Sequence, residues 1–268
     1  MKQISKEADI ASSALIGEGV VIEGHVKVEE SVRIGHNTVI HDNVFIREGT
    51  IVGNSVVLGE RLSSYYKEPK KYENPPLEIG KNSIIRSGSI IYAGSKFGER
   101  FQTGCSVVVR EQSKFGVNNS LGTLSQVEGY NEIGDHNRFH CAVHLPFKTK
   151  IHNFVWVFPY VVFTTDIHPP CGDCIRGPNI EDFALVGTHS VIMPGVRIGR
   201  NSIVAAMSLV TKDVPPEKVV MGVPAKVVKS VHDIECTEVP GHPKPYPWFE
   251  MMDPKRKRKY GYPVNWEV

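Results

Sequence analysis

No stretch of this 268-residue chain approaches the run of roughly 18 apolar residues that a membrane-spanning helix requires. Its opening, Met1-Lys2-Gln3-Ile4-Ser5-Lys6-Glu7, has no apolar core of the kind a secretory leader carries. The five cysteines are an odd number, which argues against a disulfide framework and for a reduced, cytoplasmic setting. Charge of one sign is also missing. A net charge of +2 gives no general signal for nucleic acid or for an acidic partner. Apolar residues repeat at neither the 3.6 of a helix face nor the 2 of a half-buried strand.

What the chain does have is a period of six. From Ile79 to Phe163, every sixth residue gives fifteen positions, of which all but Thr103 are large and apolar, in a sequence that is 41% hydrophobic. The same spacing runs without a miss from Ile4 through Ile10, Ile16 and onward to Leu58, and again from Ile180 to Val210. Gly17, Gly35, Gly53 and Gly59 directly follow core positions, where a tight turn would favour a residue without Cβ. A unit of six residues cannot bury its own apolar side chain and must stack on its neighbours. The period therefore predicts an all-β parallel β-helix spanning 1–214, interrupted at 59–78 and 164–179. A closing segment, a short helix and an extended tail are expected over 215–268. Nothing in between reads as a domain linker.

Stretches such as Ile198-Gly199-Arg200-Asn201-Ser202-Ile203-Val204 and Val210-Thr211-Lys212-Asp213-Val214-Pro215-Pro216 resemble the hexapeptide-repeat acyltransferases. Gly222-Val223-Pro224-Ala225-Lys226-Val227-Val228 is similar to the segment with which those enzymes close the coil before a C-terminal helix. The resemblance covers roughly residues 4–231. It implies a left-handed helix, three hexads to a coil, assembled as a homotrimer with acyl-CoA between subunits. The hand comes from the resemblance alone, since parallel crossovers are otherwise right-handed. Ile85-Arg86-Ser87-Gly88-Ser89-Ile90-Ile91-Tyr92, Phe101-Gln102-Thr103-Gly104, Val109-Arg110-Glu111 and Val162-Phe163-Thr164-Thr165-Asp166-Ile167-His168-Pro169-Pro170 resemble the branch that acylates amino groups of nucleotide-linked deoxysugars. Arg86, Ser87, Tyr92, Thr165 and His168 thereby become expected contacts to a dTDP- or UDP-linked amino sugar.

With three hexads per coil, residues 18 apart stack about 4.8 Å from one another. That arithmetic aligns Tyr92, Arg110, Glu128, Pro146 and Thr164 in one outward ladder, and Ile90, Val108, Gln126, His144 and Val162 in another. Arg110, Gln126, Glu128, His144, Thr164 and Asp166 are then expected on one outer face beneath the second interruption. Transfer from a thioester needs a nucleophile, a donor for the oxyanion and a proton acceptor. Asp166 leads the candidates for that acceptor, against a reading as an Asx-type loop residue. His144, His140 and Glu128 follow, and Arg110 is a rival partner for Glu128. A sugar amine that binds neutral is already nucleophilic and can attack the thioester directly. A hydroxyl acceptor would need a histidine base more firmly, and the chain departs from its relatives by placing Leu124 and Cys105 where they often carry histidine.

For acetyl-CoA or another acyl-CoA, the resemblance implies a track over Gly187, Ala205, Ala206 and Ser208. Thr211 and Lys212 would lie towards the adenine, and Lys226 or Lys229 at the phosphates. No metal is expected. Alternatives are a zinc hydratase using His136, His140 and His144, or a scaffold without activity. Cys171 and Cys174 have CxxC spacing with no second pair, and Lys255 to Lys259 reads as a solvated charge run. The first interruption carries Tyr65, Tyr66 and Tyr72 among lysines, suited either to a nucleotide or to a neighbouring subunit. The tail is expected to lie over another part of a trimer.

Overall fold

A computed structural model describes residues 2–170, 172–238 and 244–266. Its described residues form a left-handed parallel β-helix. Three sheets of 11, 10 and 12 strands make the faces of the prism, nearly every strand being only two or three residues long. We call the faces first, second and third in the order in which the chain visits them, beginning with Gln3–Ile4, Asp9–Ile10 and Leu15–Ile16. A two-residue strand has almost no stability alone, so each coil depends on the coils above and below it. Every one of the fifteen positions from Ile79 to Phe163 is buried, Thr103 included. Each large apolar side chain placed there contributes about 1.5–3 kcal/mol relative to exposure.

The ladder registers expected from the sequence are those observed. Ile90 pairs with Val108, Val108 with Gln126, Gln126 with His144, and His144 with Val162. Two rules of the coil were not read from the sequence. The residue three after a core position adopts a positive φ at corner after corner, for example Asn37 (56°), Asn118 (55°), His136 (62°) and Tyr160 (61°). Asparagine at that place is understandable, because it tolerates the left-handed region. The residue two before the core position is often a buried serine, threonine or asparagine clamping neighbouring coils. Ser125 Oγ donates to the His140 carbonyl at 3.1 Å and accepts from the Val143 amide at 3.3 Å. Gly17 and Gly35 are small for a further reason, since a Cβ at Gly17 would sit 2.8 Å from the backbone of Gly35 in the next coil.

Both interruptions leave the same edge, after first-face strands Val57–Glu60 and Val162–Phe163. Five strand-to-strand steps separate those strands, or about 24 Å along the prism. The first insertion contains a short helix, Ser63–Lys67, and a 3-10 turn, Pro69–Lys71. It is tied down by Arg61, which donates to Glu23 at 2.6 Å and lies 4.5 Å over the Tyr65 ring. The second insertion folds back as a narrow tongue, with an antiparallel bridge between Asp166 and Ile175.

The C-terminal part differs from expectation in its details. The closing segment is a β-hairpin, Lys218–Gly222 against Ala225–Ser230, with Gly222-Val223-Pro224 in its turn. A single 3-10 turn, Val231–Asp233, follows it directly, and short α-helices come later, at Trp248–Met251 and Pro254–Lys259. The described part of the tail packs on the coils of its own chain. Phe249 and Tyr262 are buried against Phe154 and Phe183, at the corner between second and third faces. Trp248 Nε1 donates to the Phe183 carbonyl at 2.9 Å. Such an aromatic surface left in water would be costly, and the tail covers it.

Candidate active site

The first face between the two insertions carries the densest set of candidates. His144 and Glu128 stand on adjacent coils, with Nε2 3.6 Å from Oε1. The other Glu128 oxygen accepts the Phe147 amide at 3.0 Å, which fixes the carboxylate. Both side chains are about one-third exposed, so solvent and a ligand can reach them. A carboxylate anchored by the backbone and facing an imidazole can hold one ring nitrogen while the other takes a proton. Gln126 lies exposed one coil below His144 on the same ladder.

Arg110 does not pair with Glu128. It instead binds its sequence neighbour Glu111 through two hydrogen bonds, at 3.0 and 2.9 Å. The guanidinium also lies 5.9 Å from the Tyr92 ring centre and 5.5 Å from that of Phe147. Phe147 was missed from the sequence, although it sits three residues from His144, and Glu111 is legible there only as part of the Val109-Arg110-Glu111 motif and not as the partner of Arg110. Burial, helped by the Glu60 charge, holds the Tyr92 phenol above its ordinary value and hence neutral.

Asp166 takes the role of a loop residue. Its carboxylate accepts the amides of His168 at 2.9 Å and Gly172 at 3.4 Å, so it staples the tongue. Thr164 donates to the Ile192 carbonyl at 3.0 Å, and Thr165 accepts the Arg176 amide at 2.8 Å. His168 is exposed on the tongue. Cys171 lies outside the described residues, and Cys174 is half-buried.

Arg86, Ser87 and His140 fall on a different edge, where the third face turns into the first. Arg86 donates to the Thr103 carbonyl, and Ser87 accepts the Asn54 amide at 3.1 Å. His140 stacks on Phe158 with ring centres 5.0 Å apart and planes 8° from parallel. Burial lowers its pKa and favours neutral imidazole. His136 lies at a third place, buried between Phe154, Tyr262 and Trp266. A spacing of four in a coil of eighteen thus sends His136, His140 and His144 to three different parts of the prism. They do not converge as zinc ligands.

The expected cofactor residues separate in the same way. Ala205 and Ala206 lie on the edge that holds His140, two coils above Phe158, and Ala206 is exposed. Gly187 occupies the intervening coil, but its smallness is already required by stacking, since a Cβ would meet the Ala206 amide nitrogen at 2.6 Å. Ser208 is 2% exposed and its hydroxyl is spent on the Ala205 carbonyl at 2.7 Å, so its side chain presents nothing to a ligand. Thr211 and Lys212 are exposed beyond the last first-face strand. Lys226 and Lys229 are exposed on the closing hairpin, rather than at a helix start.

A solenoid of stacked hexads is the architecture of hexapeptide-repeat proteins. The bacterial transferase hexapeptide model (six repeats) matches residues 177–212. A hexapeptide-repeat containing acetyltransferase from Vibrio cholerae is 31% identical, with 41% of this chain and 72% of that one covered at a TM-score of 0.35. The chain thus resembles the hexapeptide-repeat acyltransferases, the matched hexads being those of residues 177–212. Among curated relatives, a 2,3,4,5-tetrahydropyridine-2,6-dicarboxylate N-acetyltransferase of Staphylococcus aureus (strain JH9) is 49% identical over 72 residues. That match takes in 27% of this chain and spans 29% of the relative's length. An Arabidopsis UDP-N-acetylglucosamine acyltransferase is 16% identical over 85% of this chain and 74% of that one, with a TM-score of 0.44.

Proposed function

We propose that the protein is an acyl-CoA-dependent acyltransferase, most simply an acetyltransferase, whose acceptor binds on the first face between the two insertions. The observation that carries this reading is the His144–Glu128 pair, anchored by the Phe147 amide and flanked by the tongue. Acyl-CoA would run along the edge of Ala205 and Ala206, with Thr211, Lys212, Lys226 and Lys229 available to its phosphates. The acceptor is the amino group of a dTDP- or UDP-linked amino sugar. Its amine attacks the thioester carbon, the tetrahedral intermediate expels CoA as thiolate, and the amine's proton passes to His144. Support for an acetyl transfer comes from the family and from the names of the relatives, which include an N-acetyltransferase and a UDP-sugar acyltransferase.

One observation favours a second reading, in which the acceptor is a hydroxyl. An imidazole already oriented by a carboxylate is what an attacking alcohol needs, whereas a neutral amine needs less. The assembly is a homotrimer in either case. Leu124, Tyr160 and Met207 are 61%, 54% and 72% exposed along one edge, a stripe suited to a neighbouring chain.

Thermal denaturation of the purified chain with CoA, acetyl-CoA and a panel of UDP- and dTDP-amino sugars tests the proposal. A ligand that binds the folded state raises the midpoint by mass action. Shifts with CoA and with one nucleotide-sugar are expected. A CoA shift alone moves the acceptor to another hydroxyl or amine compound, and no CoA shift overturns the acyltransferase reading.

A further inference from the structure

Under the tail, on the third face, lies a cavity of about 380 Å³. Trp156 and Phe158 form its floor, Tyr246 and Trp248 its walls, and Lys244 and Arg256 add two cations to the lining. The volume falls in the range of small-ligand sites. Close-packed aromatic surface is the rule elsewhere along this tail, where Phe249 and Tyr262 are 5% and 4% exposed. The cavity does not close because its roof is held from outside it. Trp248 is hydrogen-bonded to Phe183, Phe249 is buried against Phe154, and Lys257 lies 4.1 Å over the Phe249 ring while donating to the Val264 carbonyl.

We propose that this cavity is a binding site for a planar aromatic ring carrying an anionic group, separate from the first-face site. Flat indole, phenyl and phenol surfaces offer stacking and edge contacts to a ring. The two cations offer charge-assisted hydrogen bonds to a carboxylate or phosphate. Lys244 gives one donor to the His232 carbonyl at 3.0 Å and keeps two others. Arg256 has no side-chain partner among the described residues. The one acid in the lining, Asp253, is occupied in capping the helix Pro254–Lys259, accepting the Lys255 amide at 2.7 Å. Two cations against this one carboxylate leave the lining net positive. Phe158, stacked on His140, joins the cavity floor to the edge where the third face meets the first.

The shared chemistry admits a nucleotide or a free aryl acid, and the test separates them. Isothermal titration calorimetry on the full chain would use UMP against uridine, and 1-naphthoate against 1-naphthalenemethanol. Saturable binding of at least one anion is expected, with its neutral counterpart at least about tenfold weaker. UMP alone assigns a nucleotide, naphthoate alone an aryl acid. The doubly substituted Lys244→Gln/Arg256→Gln chain should lose the preference for the anion while melting as the parent does. No heat from either anion, or equal affinity in the double variant, overturns the proposal, as does tighter binding of octanoate than of naphthoate. None of these outcomes depends on acyl transfer, so the site stands or falls independently of the activity proposed above.

Discussion

Glu128 is held by the Phe147 amide on one oxygen and faces His144 with the other, so replacing it by glutamine preserves the anchor and removes the charge. If His144 accepts the proton, Glu128→Gln should lower kcat by about tenfold or more, with little change in the KM for acetyl-CoA and an unchanged melting temperature. A full rate in steady-state assays would mean that a neutral amine attacks unaided. His136 makes a different prediction. Its Nδ1 accepts from the Asn118 amide group at 3.0 Å, and burial holds its pKa at about 4 against an ordinary 6.5. The unfolded chain therefore takes up this proton first as pH falls. Stability is full above about 6.5 and declines towards about 4, by up to about 3 kcal/mol. His136→Asn, suited to the φ of 62°, should flatten that part of the profile in urea titrations between these pH values. An unaltered slope would assign the pH dependence elsewhere. Asp166 and Gly187 show why single residues were hard to read from sequence. A loop carboxylate has the same letter whether it serves amides or substrate, and a glycine the same letter whether a cofactor or the next coil approaches it.

Among the elements, the coils were legible and the attachments were not. The six-residue period named the core positions, and eighteen named the neighbours of His144, because every coil repeats one geometry. Serines and asparagines two places before the core also recur at this period, as at Ser83, Ser89, Ser95, Ser113 and Ser125, so that signal was present and unread. The tail has no period to say which face its aromatic residues meet. Its docking rests on Phe249, and Phe249→Ala should cost about 3–5 kcal/mol of local stability. Limited proteolysis would then cut the tail while the coil stays resistant, because solenoid stability is held between neighbours. Simultaneous loss of coil and tail would show that the two unfold as one unit.

On the scale of the whole molecule, charge and apolar surface are segregated. On the second face Arg47 bridges Glu29 at 2.8 Å and Glu78 at 2.7 Å across successive coils; Lys96 together with Arg47 at Glu78, and Arg47 at Glu29, hold both carboxyls below their ordinary range. These cross-coil pairs lend stability above the usual carboxylate range and lose it as pH falls through the lowered values. The edge of Leu124, Tyr160 and Met207 carries no such charge. Light scattering after gel filtration is expected to give the mass of three chains, and Tyr160→Glu with Met207→Glu should shift it towards one. A monomeric parent chain would remove that edge from the proposed assembly.

The two insertions leave a common edge five strands apart, and that separation can change only by whole coils. A duplication of residues 109–126 would return the chain to the same face in the same orientation, lengthening the floor by about 4.8 Å. The distance between the bracketing loops is thus a counted quantity. Variants one coil longer or shorter would hold the same chemistry at a different span, and acceptor size becomes a trait that steps rather than drifts.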